Sequence, residues 1–155
     1  MPVKFRIIVV GKAPAGPLGE AIAAFEARAA RYWPLEVVEV RAEPARGRSP
    51  AEVCRIETGR LMERVAGTLV VLDERGRSFA SQEFSAWMQA RREQADDVTF
   101  AIGGAGGLGA EARDRAGLLL SVAPWTLSHD LARLVLAEQV YRAGSIQRGE
   151  PYHRA

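Results

Sequence analysis

Cysteine is almost absent. Cys54 stands alone, so no disulfide can close within the chain, and it forms no cluster of zinc-ligand spacing with the two histidines. A disulfide scaffold and a structural metal module are thereby excluded, and no metal is expected. Long apolar runs are missing too: none approaches the roughly 18–20 residues that span a bilayer. Met1 to Arg6 leads straight into a short apolar run, without the charged start, long apolar middle and small-residue cleavage site of a signal peptide. The expectation is a cytoplasmic protein with no membrane partner. Lysine is scarce, since every basic side chain other than Lys4 and Lys12 is arginine. An excess of either charge is lacking as well, with 21 Lys+Arg against 19 Asp+Glu and a net charge of +2. Arginine forks phosphate and stacks on bases, which suits nucleic acid, but a GC-rich genome yields the same bias. Composition alone favours the genomic explanation.

What is present is the material of one globular domain, 1–155, with 48% hydrophobic and 26% charged residues. The apolar, β-branched run Val3–Val10 reads as a strand stopped by Gly11. Alanine-rich Leu18–Trp33 has helical spacing and ends before Pro34, and Leu35–Val40 alternates as a second strand. Arg41–Ser49 is the most polar loop. Ser49, Pro50 and Glu52 form a capping-box pattern for a helix reaching about Ala66. Thr68–Leu72 is a third strand, ending at Asp73 with a turn at Gly76; Ser81–Gln94 is a helix and Val98–Ile102 a fourth strand. A glycine loop, a short helix over Ala110–Ala116, a strand over Leu118–Val122 and a loop over Ala123–Ser128 follow. The last helix is expected over His129–Ala143, leaving a polar tail, Gly144–Ala155. Alternating strands and helices predict an α/β fold with a mostly parallel sheet flanked by helices, with ligands at the carboxyl ends of its strands.

Gly104, Gly106 and Gly109 satisfy GxGxxG between a strand and a helix, which suggests a dinucleotide-binding enzyme using the 104–109 loop. The context argues against it. That fingerprint belongs to the first βαβ unit, with an acidic residue ending the next strand; here it follows the fourth strand, and the next ends at Val122-Ala123. Two readings remain open: glycines serving positive φ, or glycines letting backbone approach another nucleotide-like ligand.

The C-terminal quarter carries the most information. Leu72-Asp73 with Gly76, Ile102-Gly103-Gly104 with Gly107-Leu108, Ser121, Thr126-Leu127, His129, Leu131, Arg133, Ala137-Glu138-Gln139, Tyr141-Arg142-Ala143, Ser145-Ile146 and Pro151-Tyr152-His153-Arg154 stand in an order that resembles the RlmH family. These are SPOUT-class methyltransferases of 23S rRNA acting on pseudouridine N3. The resemblance covers the whole chain. It implies an α/β-knot fold with a C-terminal trefoil knot, a homodimer whose interface builds the active site, and 23S rRNA in the assembled ribosome as substrate. It further implies S-adenosyl-L-methionine as cofactor, held by Leu72, Gly103, Gly104 and the segment Ala123, Pro124, Trp125, Thr126, Leu127 and Ser128. Apolar Leu72, Trp125 and Leu127 suit adenine, while glycine backbone and Thr126 suit ribose and amino-acid groups.

The chain departs from that family at Ala105-Gly106, where Pro-Glu is usual, at Ser128 and Asp130, where proline is usual, and at Gly144, where tryptophan is usual. Ser128 is expected to cap the last helix. An inactive ribosome-associated binding protein is therefore a further alternative.

Methylating an imino nitrogen requires in-line alignment with the methyl donor and help in removing the N3 proton. The catalytic candidates are His129, Arg142, Tyr152, His153 and Arg154: histidine titrates in the right range, and the Tyr-His-Arg tail can stack on a base, exchange a proton and bind phosphate. Arg133, Arg142 and Arg154 are expected near one pocket, although Arg142, four residues after Glu138, also suits an ion pair. Cys54 reads as a small buried hydrophobe, and Asp73 as a turn cap as readily as a ligand group.

Overall fold

The computed structural model describes residues 3–154, with side chains through His153. Five strands, β1 (Phe5–Val10), β2 (Leu35–Val40), β3 (Thr68–Ser78), β4 (Val98–Ile102) and β5 (Leu118–Ser121), alternate with helices. These are α1 (Pro17–Ala29), α2 (Pro50–Met62), α3 (Ser81–Glu93), α4 (Ala110–Arg115) and α5 (His129–Gln147), and a 3-10 turn, Pro151–Arg154, follows α5. The sheet is parallel throughout, in the order β2-β1-β4-β3-β5. Every loop that leaves a strand therefore emerges at the same edge, where ligands of such sheets bind.

Alternation along β1 divides the interior. Phe5, Ile7 and Val9 join Trp33, Phe100, Met88, Leu136 and Val140 under α1, α3 and α5. Ile8 and Val10 join Leu61, Val71, Leu108 and Ala112 under α2 and α4. A sheet covered on both faces needs apolar residues on both, which is why β4 is buried throughout.

Several boundaries differ from the sequence reading, each for a local reason. Helix α1 stops at Ala29, and Trp33 instead lies buried, its Nε1–H donating to Val140 O at 2.9 Å. Helix α2 ends at Met62 rather than near Ala66. Strand β3 continues to Ser78, but Leu72 and Arg77 both align with Leu120 of β5, so residues 73–76 bulge out of the ladder. Gly76 sits where a Cβ would lie 2.5 Å from the Leu119 carbonyl carbon; its role is close approach to β5. Helix α5 runs four residues past Ala143, because Gly144 and Ser145 are buried rather than part of a polar tail. A Cβ on Gly144 would lie 2.3 Å from the Tyr32 Cβ and 2.4 Å from its ring, so Tyr32 fills the space beside it.

Candidate functional site

The β3 bulge, the glycine loop and the segment before α5 enclose a cavity of about 390 Å³ at the carboxyl edge. Its floor is apolar, formed by Leu72, Leu108, Leu120, Val122 and Leu127. Its rim carries both signs of charge. Asp73 pairs with the Arg75 guanidinium at 3.0 Å and accepts the Arg75 backbone N–H at 2.9 Å, which in that order hold its carboxyl below the usual range. Asp73 thus caps the bulge, as one of its two sequence readings anticipates. Glu74 receives the Thr126 hydroxyl, joining the bulge to the loop opposite, and Arg113 donates to Leu108 O at 2.7 Å.

The glycine loop is clamped from behind by α2. Thr58 Oγ1 accepts the Gly109 N–H at 3.0 Å, and the Cys54 thiol lies 3.5 Å from Gly107 O. A Cβ on Gly104 would lie 2.9 Å from Glu57 Oε1, and one on Gly103 only 2.5 Å from the Gly107 carbonyl carbon. Gly106 and Gly107 therefore line the cavity, while Gly103 and Gly104 form the folded base of the loop; Gly107 alone among these four has positive φ, at 76°. Cys54 is half-buried beside this loop rather than a core residue. The Gly109 N–H is spent on Thr58, α4 has only six residues and no carboxylate ends β5, so the loop lacks the pyrophosphate and ribose groups of a dinucleotide site.

On the opposite wall, Ala123, Trp125, Thr126 and Leu127 line the cavity, whereas Pro124 and Ser128 do not. Trp125 is 79% exposed, so it rims the mouth instead of closing it. Ser128 accepts the Leu131 N–H at 3.3 Å and caps α5, the role its position suggests. His129 is the first residue of α5, its Nε2 3.5 Å from Asp130 Oδ1.

A second polar cluster sits farther along α5. The Tyr152 hydroxyl donates to Glu138 Oε1 at 2.8 Å, and Arg142 pairs with the same oxygen at 2.6 Å and lies over the Tyr152 ring. Burial first, then the bond to Glu138, raises the Tyr152 phenol above its ordinary pKa. Gln139 bridges Glu138 to Ser81. His153 Nδ1 is buried without a hydrogen-bond partner among the described residues. The Arg154 side chain lies outside the described residues.

The sequence-derived residues thus fall into two groups. Glu138 lies about 9 Å along the α5 axis from the cavity residue Ala132, at 1.5 Å per residue. No described contact joins Tyr152 or His153 to the cavity within one chain. Arg133, expected near the pocket, is buried and donates to Glu26 and Glu39, each at 2.8 Å; two carboxylates so close draw a guanidinium inward. The sequence reading missed the Glu74–Thr126 bridge and the Thr58 clamp, which join residues 52 and 51 positions apart and have no local sequence signature.

A ligand with a planar apolar base, ribose hydroxyls and a zwitterionic end suits this cavity. The floor accepts the base, Asp73 and Glu74 can accept from hydroxyls or an ammonium, and Arg75 and Arg113 can meet a carboxylate. The residues present therefore fit S-adenosylmethionine.

A family described as "Predicted SPOUT methyltransferase" matches residues 3–153. The chain is 47% identical to a protein of Gemmatimonas aurantiaca named ribosomal RNA large subunit methyltransferase H, across 98% of this chain and 100% of that one. It is 43% identical to a protein of the same name from Syntrophotalea carbinolica, across 97% and 99%. Among solved structures, a probable methyltransferase from Bordetella pertussis superposes with a TM-score of 0.55 at 18% identity, covering 92% of this chain and 95% of that one. That likeness speaks to the fold.

Proposed function

The chain belongs to the SPOUT methyltransferase family, and from that premise we propose that it transfers the methyl group of S-adenosylmethionine to N3 of a pseudouridine in 23S rRNA of the assembled ribosome, in the cytoplasm. The observation that carries the reading is the whole-length identity to proteins named for methylating large-subunit rRNA. The cavity supports it, because three separated segments converge on one space with the chemistry such a cofactor needs.

Bound there, S-adenosylmethionine supplies a sulfonium-activated methyl group. Leu72, Leu120 and Leu127 would hold the adenine, and the charged rim would fix the amino-acid end, leaving the reacting end toward the mouth beside Trp125. Of the residues assigned to cofactor binding, Gly103 and Gly104 act through the shape of the glycine loop, and Pro124 and Ser128 through the path of the segment into α5.

His129, Arg142, Tyr152, His153 and Arg154 form the catalytic set. A histidine accepts the N3 proton, and arginine holds phosphate or the anion left on the base. Because the described residues of the tail cluster and the cavity do not touch within one chain, the site is completed in a homodimer, where the tail of one protomer meets the cavity of its partner. Helix α5 starts beyond the edge strand β5 and returns to lie between α1 and α3, a path in keeping with a C-terminal trefoil knot.

Purified protein, methyl-labelled cofactor and ribosomes test this together. Label should enter 23S rRNA of intact ribosomes and not protein-free rRNA. Cofactor binding without transfer to either would favour the inactive binding protein instead.

A further inference from the structure

The charges at the carboxyl edge are unevenly distributed. Helix α5 and the β3 bulge spend their arginines internally, on Glu26, Glu39, Glu138 and Asp73. The loops after β1 and β2 and the N-terminal half of α2 do not. Lys12, Arg41, Arg46, Arg48 and Arg55 are all exposed, and none of their side chains makes a hydrogen bond or ion pair among the described residues. The two carboxylates of residues 41–55 have partners: Glu43 pairs with Arg60 at 3.1 Å, and Glu52 accepts the Ser49 hydroxyl at 3.3 Å. The amino edge also exposes Arg31, Arg64 and Arg115, but there Glu63 and Asp114 stand as exposed neighbours in the sequence.

The free cations are tied to the cavity by the backbone. Gly11 N–H donates to Val40 O at 2.8 Å, so the loops after β1 and β2 leave the sheet side by side. Arg60 holds Arg41 O at 2.9 Å, and Glu57 accepts the Glu43 N–H at 3.0 Å while its other oxygen faces Gly104. Cys54, next to Arg55, touches Gly107 on the cavity wall. Glu57 thus holds the 41–49 loop and packs against Gly104, while Thr58 and Cys54 of the same helix contact the glycine loop, which places the basic surface beside the cavity mouth.

We propose that Lys12, Arg41, Arg46, Arg48 and Arg55 form a docking surface for RNA phosphates that presents the target base to the cavity. The inference rests on the rRNA methyltransferase reading and deepens it by naming the surface that recognises the substrate. It also accounts for a near-neutral chain acting on a polyanion: charge is not in excess but is left free on one edge. Guanidinium forks suit bidentate phosphate contacts, and each such contact adds about 0.7–0.9 to the slope of log affinity against log salt.

The test compares four full-length proteins: wild type, R46A/R48A/R55A, R46K/R48K/R55K, and the amino-edge control R31A/R64A/R115A. Three quantities are read: affinity for ribosomes by co-sedimentation across a salt series, methyl-transfer kcat and KM, and cofactor affinity by calorimetry. The carboxyl-edge alanine variant should bind ribosomes about tenfold more weakly, with a salt slope lower by roughly 2–3 and with kcat and cofactor affinity unchanged. The lysine variant should recover most of the slope, and the control should match wild type. Equal ribosome affinity and slope for the alanine variant and wild type would overturn the surface, as would an equal loss in the control. If wild type binds ribosomes in this way yet transfers no methyl group, the surface stands and the enzymatic reading fails.

Discussion

The Tyr152 hydroxyl donates to Glu138 at 2.8 Å, folding the C-terminal turn back onto the middle of α5. The Tyr152 ring packs 4.6 Å from Tyr141 and lies under Arg142, so the tail is seated by stacking and by one shared carboxylate. The described part of the tail is thus held at a fixed place, apart from the cavity of its own chain.

Removal of residues 152–155 should abolish methyl transfer while leaving cofactor affinity within about twofold, since no described tail residue lines the cavity. Single-turnover transfer and calorimetry measure the two. Parallel loss of both would make the tail a structural brace for the pocket.

Arg133 should be among the most sensitive interior positions. Its replacement by methionine leaves two carboxylates facing each other, and urea unfolding should register a loss of about 3–5 kcal/mol. Adding E39Q should return part of that loss. The pH dependence has a definite sign. Arg133 holds the Glu39 pKa below its ordinary 4.5, so the unfolded chain binds the extra proton; the stabilisation is complete above about pH 4.5 and disappears as pH falls through the lower folded value. Wild type should therefore lose more stability on acidification from pH 5 than E39Q does.

Gly144 and Tyr32 should be coupled. The ring lies where a side chain at 144 would begin, and it is itself anchored through its hydroxyl to Glu150, which raises the phenol pKa to about 12. Gly144→Ala should destabilise by roughly 1–3 kcal/mol through overpacking, and Tyr32→Gly, which removes the Cβ 2.3 Å away as well as the ring, should remove most of that penalty. Additive effects in a double-mutant cycle would contradict this.

Gly103→Ala should weaken cofactor binding at least about tenfold with a smaller effect on global stability, because the new methyl group would push the Gly107 backbone into the cavity. Calorimetric titration alongside thermal unfolding distinguishes the two effects.

Much of the architecture was legible in the chain because it depends on local patterns. Apolar runs such as Val98–Ile102 and the Ser49 cap fall where the period and capping rules put them. The strand order was not legible, since which strands pair depends on crossovers that leave no local trace. Gly76 shows the limit in miniature: glycine marks a turn or a close approach with the same letter, and only the neighbouring strand decides. The site followed the same division. Residues 72, 103, 104 and 123–128 were named from resemblance, and of these 72, 123 and 125–127 line the cavity, whereas the partners of Arg133 lie 107 and 94 positions away and could be found only in three dimensions.

The central claim is tested most directly by mass spectrometry of nucleosides from 23S rRNA of the source organism with and without this chain. The account predicts that N3-methylpseudouridine is replaced by pseudouridine when the chain is deleted and returns on complementation. Persistence of the methylated nucleoside in the deletion strain would contradict it.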